Sequence, residues 1–241
     1  MTVERRHDDA GLLEFLYKNK HLTPFECGGE LMIEVQAPIM VFREWHRHRT
    51  QSYNEFSARY AQMPNLHYLP EQIRFQRQST TNKQGSGETM EWSDLHPVDL
   101  FDRQQQDIYN LYDDLVKKGL AKEVARLNTP VSRYSKMRAK TDLRNWLGFL
   151  LLRMAPNAQW EIRQFANAVA EIIKSLWPRT YALFEEYDLF GVQLGGEATR
   201  APVVATGVEY LDEPAVVLLT CGLPAGSHTV FSGTARPPKA G

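Results

Sequence analysis

Arginine, histidine and hydrogen-bonding side chains are concentrated between Arg43 and Tyr60, in the run REWHRHRTQSYNEFSARY. The run contains four arginines and two histidines beside serine, asparagine and glutamate side chains. Guanidinium groups are planar, permanently charged and well matched to phosphate oxygens, while neutral neighbours can fix the orientation of a ligand. The residue types therefore predict a site for a phosphorylated ligand, most simply a nucleotide.

Three other interpretations of this run must be weighed. A solvated basic surface has a similar composition, and so does a patch that binds nucleic acid through its phosphates. The third is a metal site, because His46 and His48 lie two residues apart. Zinc normally takes three or four protein ligands, and no further ligand has a suitable spacing here. We expect no metal.

The composition of the whole chain limits its class without naming its function. The 241 residues carry a net charge of −1, so any attraction to anions must come from local clusters. Cys27 and Cys221 lie far apart, outside any C-x-x-C pair, which is typical of a reducing compartment and gives no support for a zinc site. No apolar run approaches the roughly 20 residues of a membrane span, and the polar start does not resemble a secretory signal. We expect a cytoplasmic protein with no membrane partner.

The elements before the basic run can be predicted from periodicity. Apolar and polar residues alternate over 31–37, which predicts a half-buried strand. Pro38 suits the first turn of a helix over residues 39–45. The basic residues then begin where this helix ends.

The rest of the chain is predicted to be mainly helical up to residue 190. Helices are expected at 9–20, which Thr23-Pro24 would stop, and at 99–118, 120–127, 144–153 and 158–176. Gly119 is a C-terminal cap, Asn157 an N-cap, and Pro178 a stop. The inner side of the 99–118 helix is predicted to carry Leu100, Ile108, Leu111, Tyr112, Leu115 and Val116. The polar stretch 77–93 is interpreted as a surface loop.

Short motifs along the chain resemble one enzyme family. Arg47-His48-Arg49, followed after seven residues by Ser57, matches the R-H-R-x7-S signature of the flavin-dependent thymidylate synthases. Further matching pieces occur in the family's order, and the resemblance covers residues 15 to 190. These pieces are TPFE at 23–26, Asn54-Glu55, Arg59, Leu152-Arg153 and AQWEI at 158–162.

The resemblance implies an α/β (α+β) fold with a mixed sheet and long helices. Residues 1–190 would form a single catalytic domain, and residues 191–241 a loosely structured Gly/Ala/Pro-rich tail of unknown role with a lone strand at 216–220. The family assembles as a homotetramer whose flavin sites are built from several subunits. It methylates dUMP to dTMP with FAD as cofactor and with NADPH and 5,10-methylenetetrahydrofolate as co-substrates. Nucleic acid is not an expected partner.

The resemblance also assigns site residues. Arg153 would be catalytic, because a fixed guanidinium can stabilise negative charge on the uracil ring where other thymidylate synthases use a cysteine thiolate. Ser57 is assigned to binding, since no base at a suitable spacing would activate it. Expected dUMP-binding residues are Glu44, Trp45, His46, Arg47, Glu55, Phe56, Ser57, Ala58, Arg59, Arg126 and Arg153. Expected FAD-binding residues are Thr23, Arg47, His48, Arg49, Glu55, Asp142, Leu143, Arg144 and Gly148. Asp142 could equally be a helix N-cap.

The sequence departs from the family pattern at four places. The sequence begins after a first strand that the family usually has, which we expect to affect cofactor affinity and tetramer stability. Gly148 stands where the family commonly has Asn or His, and Asn157 replaces a common His. Glu44 stands where Gln is frequent, and we expect Arg43 or Arg47 to neutralise it near a phosphate. These departures leave open a flavin-binding member with reduced or lost activity, beside the nucleic-acid-binding alternative.

Overall fold

The structure is a computed structural model that describes residues 9–80, 85–92 and 97–189, together with the backbone at 217–220 and 233–235. Its strands are β1 (Glu30–Pro38), β2 (Ser52–Glu55), β3 (Gln76–Gln78), β4 (Ser86–Thr89), β5 (Tyr134–Asp142), β6 (Val217–Thr220) and β7 (Gly233–Ala235). Its helices are α1 (Asp9–Lys18), α2 (Thr23–Cys27), α3 (Ile39–Trp45), α4 (Pro97–Lys117), α5 (Lys122–Ala125), α6 (Leu143–Arg153), α7 (Trp160–Leu176) and α8 (Pro178–Phe184). Short 3-10 turns cover Gln72–Arg74 and Arg126–Asn128, and a π-helical turn covers Glu185–Leu189.

A mixed sheet with the order β2-β5-β1-β6 forms the centre of the fold. β1 and β5 are antiparallel, with the register running from Glu30 opposite Asp142 to Pro38 opposite Tyr134. β2 pairs antiparallel with the other edge of β5. β6 and β7 both pair with β1, β6 in parallel and β7 antiparallel. The prediction of an α/β protein with a mixed sheet is confirmed.

β1 is easier to recognise as a strand from its sequence than β5. In β1 the inward residues are apolar and three of the four are branched aliphatics: Leu31, Ile33, Val35 and Ala37 are fully buried. In β5 the buried positions hold smaller or polar residues such as Ala139 and Thr141, while Lys136, Arg138 and Lys140 point outward. This strand was not predicted, because its buried face carries small or polar residues at 135, 139 and 141, and valine and isoleucine, which make a strand easy to recognise, are absent from it.

Helices α3, α6 and α7 cover one face of the sheet and supply most of the core. The helix predicted at 158–176 is confirmed as α7, in which Ile162, Phe165, Ala166, Val169 and Ile173 are all buried. Around the α3–α6 contact, the rings of Trp45 and Phe149 lie 4.6 Å apart and Trp146 meets both edge-on. This aromatic cluster fixes α3 against α6, which places the ends of both helices side by side.

Several local predictions are wrong. The first helix already ends at Lys18, and Pro24 lies in the first turn of α2, as proline does at a helix N-terminus. The segment 77–93 contains a β3–β4 hairpin. The N-cap of α7 is Gln159, without a side-chain cap, rather than Asn157. On α4, Leu100 and Leu111 are exposed against the prediction, whereas Tyr112 is buried as predicted.

Other boundaries agree with the prediction more closely. α4 ends at Lys117 and is followed by Gly119 at φ +88°, the left-handed conformation that a glycine cap supplies. The 120–127 helix is shorter than expected and ends in a 3-10 turn. A strand at 217–220 agrees with the predicted one, but it pairs with β1 and is not alone. Most of residues 191–241, and the proposed boundary at 190, lie outside the described residues.

A second, smaller apolar cluster lies beyond the main core. It joins Ala58, Met63, Tyr112 and Ala125, with Ile39, Tyr109, Leu115 and Val116 packed around them. The cluster holds the segment after β2 against α4 and α5. Ala58 and Ala125 are both buried in this cluster. The backbone segments that carry the next residues, Arg59 and Arg126, are therefore neighbours.

Glu161, from the AQWEI run, has a structural role. Its side chain is 5% exposed, accepts hydrogen bonds from Arg74 Nε at 2.9 Å and from the Tyr68 hydroxyl at 3.0 Å, and thereby ties the 64–80 region to α7. Burial by itself raises the pKa of Glu161, but the Arg74 hydrogen bond, its own backbone N–H and the Arg74 and Tyr68 contacts lower the pKa overall. The carboxylate therefore stays charged inside the fold.

A separate observation concerns membranes. Within residues 9–80, 85–92 and 97–189, the structure has no helix with the length and apolar character needed to cross a bilayer.

Candidate functional site

Arg153, at the C-terminal end of α6, lies at the centre of a hydrogen-bonded cluster. Its Nε donates to Nε2 of His48 at 2.9 Å, one terminal nitrogen donates to the Glu44 carboxylate at 2.8 Å, and the other donates to the Glu44 carbonyl at 3.1 Å. The Arg153 side chain is 16% exposed. The structure thus joins the R-H-R motif to the residue predicted to be catalytic, although they are more than 100 positions apart.

Glu44 is neutralised by a different arginine from the one we expected. The prediction named Arg43 or Arg47, but the carboxylate pairs with Arg153. The reason is geometric, because the last turn of α3 faces the last turn of α6 across the aromatic cluster. The unusual carboxylate at position 44 therefore acts on the guanidinium of Arg153.

His48 is held neutral in this cluster. Because Arg153 Nε–H donates to its Nε2, the ring proton must be on Nδ1. Burial, and secondarily the Arg153 charge, lower the pKa of His48 to about 4 from 6.5. The ring also meets Phe149 edge-on at 4.8 Å. An uncharged, fixed acceptor thus faces Arg153 at neutral pH.

This depressed pKa predicts a pH dependence of stability. Between pH 6.5 and about 4 the unfolded chain carries a proton on His48 that the folded chain does not, so stability should fall as the pH drops through that window. Above the window the contribution is constant. The unfolding midpoint in urea, measured at pH 7, 6 and 5, should decline more steeply for the wild type than for His48→Gln. Equal slopes in the two proteins would contradict the assignment.

Tyr53 fixes the turn that carries the motif and was not predicted. Its hydroxyl lies 2.7 Å from the His48 carbonyl, to which it donates, and 3.0 Å from the Trp45 carbonyl, and its burial raises its pKa to about 12. Its ring meets His46 edge-on at 4.7 Å. The available signal was a lone large aromatic in the otherwise polar stretch 50–55. Phe149, the other supporting ring, gave no signal within an apolar helix.

Arg47 and Arg49 project from the turn after α3 and are exposed. Neither forms an ion pair with a carboxylate in the part of the chain that the structure describes. The same holds for Arg43 at the end of α3. Unpaired guanidinium groups beside the Arg153 cluster leave a set of strong donors available to an anion.

The segment after β2 brings the second half of the motif to the sheet edge. Glu55 ends β2 opposite Met137, and the Phe56 N–H donates to the Lys136 carbonyl. Ser57 begins a turn in which its hydroxyl accepts from the Arg59 N–H at 3.4 Å, and its carbonyl also accepts. Ser57 is half-buried, and no base lies against its hydroxyl in the described region, in agreement with a binding assignment.

Arg59 and Arg126 each follow a buried alanine of the second apolar cluster, and Arg59 reaches α5 directly. Arg59 pairs with Glu123 at 2.9 Å, with both side chains more than half exposed. Such a pair is weak in water, so an anionic ligand could replace the carboxylate. Arg126 begins the 3-10 turn after α5 and is half-buried.

The remaining predicted flavin-contacting residues gather around the first half of α6. Asp142 is the N-cap, accepting from the Asn145 N–H at 2.9 Å, so the cap interpretation is confirmed. Arg144 pairs with Glu26 of α2, which brings the exposed Thr23 close by. Gly148 is exposed, and a Cβ there would meet nothing within 4 Å. By the helix rise, Arg144 lies roughly 14 Å from Arg153 at the other end of α6.

Three predicted contact residues are buried, which restricts what they could contribute. Trp45 is fully buried in the aromatic cluster and donates to Gln51, while Ala58 and Leu143 lie in the two apolar clusters. Their side chains face the protein interior, so only backbone atoms could reach a ligand. His46 is half-buried against Met137 and Tyr53.

The described residues hold no group of three or more His, Cys, Asp and Glu side chains placed to share a metal ion. The arrangement instead combines one held guanidinium, several free ones and neutral hydrogen-bonding groups. It can bind phosphate at the exposed arginines and place a permanent positive charge against a neighbouring planar group.

Comparisons with known proteins agree with this chemistry. Residues 2–179 match the family described as "Thymidylate synthase complementing protein". The chain is 42% identical over 194 residues to a flavin-dependent thymidylate synthase from Thermus thermophilus, covering 80% of this chain and 70% of that protein. A flavin-dependent thymidylate synthase from Gluconobacter oxydans is 40% identical over 186 residues, covering 76% of this chain and 61% of that protein.

A solved structure has the same architecture. The UMP/dUMP methylase PolB from Streptomyces cacaoi, bound with 5-Br UMP, superposes with a TM-score of 0.70 at 30% identity, covering 76% of this chain and 85% of that one. The same methylase bound with 5-Br dUMP gives a TM-score of 0.66 at 28% identity.

Proposed function

This chain belongs to the flavin-dependent thymidylate synthase family, and we propose that it methylates dUMP to dTMP with FAD, NADPH and 5,10-methylenetetrahydrofolate. The observation that carries the proposal is the contact of Arg153 with His48 and Glu44, beside the unpaired Arg47 and Arg49. The solved relative that binds brominated UMP and dUMP supports a pyrimidine nucleotide as the ligand.

The role of Arg153 follows from the chemistry of uracil. The C5–C6 bond must be polarised before C5 can take a carbon, and negative charge then builds up on N3 and the flanking carbonyls. A guanidinium fixed next to that edge stabilises the charge without a protonation step, because it is always cationic. Its low exposure strengthens the effect, since little water screens it.

The exposed arginines fit the phosphate groups of the two ligands. Arg47 and Arg49 form no ion pair with a carboxylate among the described residues and offer guanidinium forks of the kind that bind a diphosphate, and Gly148 leaves room along α6, because a Cβ there would meet nothing within 4 Å. We assign Thr23, His48, Glu55, Asp142, Leu143 and Arg144 to the same FAD site. When bound, the flavin supplies the redox chemistry, while the protein supplies placement and electrostatics.

The dUMP phosphate and sugar are assigned to the segment after β2 and its neighbour. We assign Arg59, Ser57 and Arg126 to this site, and the Glu123 partner of Arg59 would give way to the phosphate. Glu55, Phe56 and the backbone of Ala58 complete the segment. Glu44, Trp45, His46 and Arg47 line the other side, with Trp45 contributing backbone only.

We further propose a homotetramer, in which neighbouring subunits complete each flavin site. This rests on the family and on the exposed position of Arg47, Arg49 and Gly148 in a single chain. A cytoplasmic location remains a prediction from composition. No nucleic acid is needed to explain the arginines.

The decisive experiment for the function has three readings on purified protein. We expect a yellow protein whose visible band bleaches when NADPH is added anaerobically, and dTMP formed from dUMP and methylenetetrahydrofolate. A yellow protein that forms no dTMP would instead be an inactive family member. A colourless protein whose nucleic-acid affinity falls steeply with salt would overturn the proposal.

A further inference from the structure

The guanidinium of Arg153 is restrained before any ligand arrives. An arginine offers five N–H donors. In Arg153, donors on all three nitrogens are engaged, by the His48 ring, the Glu44 carboxylate and the Glu44 carbonyl. Among the described residues, one N–H on each terminal nitrogen has no acceptor and can serve a ligand.

Two of these three acceptors, the Glu44 carbonyl and the His48 ring, are themselves fixed. The Glu44 carbonyl belongs to the last turn of α3 and also accepts from the Arg47 N–H at 3.3 Å. The His48 ring packs on Phe149, and the His48 carbonyl is held by Tyr53. The flexible side chain of Arg153, at the end of α6, is thereby held in one orientation by α3 and by the turn that follows it.

From this geometry we propose that Glu44 and His48 are positioning residues for Arg153, which hold its guanidinium so that its two remaining donors face the pyrimidine ring of the substrate. The inference rests on the proposed function, because it concerns the same site. Restraining the donor beforehand removes the cost of ordering it when the ligand binds.

The proposal makes a specific demand on position 44. What Arg153 requires there is a side-chain acceptor, and an amide oxygen would serve as well as a carboxylate. The negative charge opposes the proposed role, because it partly neutralises the guanidinium and lies near a phosphorylated ligand. Glutamine should therefore preserve the arrangement, whereas alanine should release one side of the guanidinium.

A purely structural ion pair would behave differently. The Glu44 side chain is 41% exposed, and pairs of that exposure contribute little to stability. If the pair had no role beyond stability, Glu44→Ala and Glu44→Gln would act alike, and neither would change the affinity for the nucleotide.

The test is calorimetric titration of dUMP into the FAD-loaded protein, with the unfolding midpoint and flavin content recorded for each variant. Glu44→Ala should bind dUMP about 10-fold more weakly, because one restraint on a charged hydrogen-bond donor is lost. Glu44→Gln should recover most of the affinity that Glu44→Ala loses, because the side-chain acceptor for Arg153 remains. In an Arg153→Ala background, Glu44→Ala should change the affinity less than about twofold, because the residue it acts through is gone.

A matched pair at position 48 probes the other restraint. His48→Phe keeps a ring against Phe149 but removes the acceptor, whereas His48→Gln can still accept from Arg153. We expect His48→Phe to bind dUMP about 10-fold more weakly and His48→Gln to recover most of that loss.

The outcomes separate the two claims. A wild-type protein that binds no dUMP overturns the proposed function and this inference with it. If the wild type binds dUMP and Glu44→Ala binds equally well, the inference alone is wrong. It is also wrong if Glu44→Gln loses as much as Glu44→Ala, or if the loss persists without Arg153.

Discussion

Arg153→Ala should lower the rate of dTMP formation at least about 1,000-fold, because it removes the positive charge that faces the developing anion on uracil. The variant should still fold and still bind FAD, since Arg153 lies at the end of α6 and not in the aromatic cluster. Single-turnover dTMP formation by flavin-reduced enzyme is the measurement, with the absorbance spectrum reporting the flavin.

The control for charge alone is Arg153→Lys. A lysine keeps the positive charge but has no planar fork, so it cannot satisfy the Glu44 carboxylate, the Glu44 carbonyl and His48 together. Its rate should lie between those of the alanine variant and the wild type. Turnover within a few-fold of the wild type in Arg153→Ala would mean that another group polarises the ring.

Glu161→Ala should reduce the free energy of unfolding by about 3 kcal/mol, because it leaves the Arg74 guanidinium and the Tyr68 hydroxyl partly buried without their shared partner. Urea denaturation at pH 7 measures this loss. The effect should shrink in acid, because the pKa of Glu161 is lower in the folded chain than in the unfolded chain. The stability that the ionised carboxylate contributes is fully present above the unfolded pKa. It is lost as the pH falls through the folded pKa.

An exposed ion pair on the sheet serves as the comparison. Glu30 accepts from Lys140 at 2.7 Å, with both side chains roughly half exposed. Glu30→Ala should change the unfolding free energy by less than about 1 kcal/mol, because water already solvates both charges. Equal losses in the two variants would show that burial of the Arg74–Glu161 pair does not determine its strength.

The elements with strong periodicity could be predicted from the sequence. β1 alternates large apolar and polar residues, and α7 carries its apolar residues at helical spacing, so both were placed within a few positions. β5 was missed because alanine and threonine occupy buried positions between lysines and arginine. Its burial is imposed by the neighbouring strands β1 and β2, which a local pattern does not show.

The candidate site could be predicted residue by residue but not as an arrangement. The R-H-R motif and Arg153 were found from their local runs. That His48 and Glu44 hold Arg153 depends on α3 and α6 meeting across Trp45 and Phe149. Glu44 was expected to be neutralised by Arg43 or Arg47, which are nearer in the sequence. Its partner is Arg153, because α3 and α6 pack against each other.

The central claim is that a held guanidinium, and no protein thiol, activates the nucleotide. Cys27 is exposed on α2, and Cys221 lies outside the described residues. The most direct test is dTMP formation by a chain in which both cysteines are replaced by alanine, under the same conditions as the wild type. We predict an unchanged rate. A folded, yellow double variant that forms no dTMP would contradict the account.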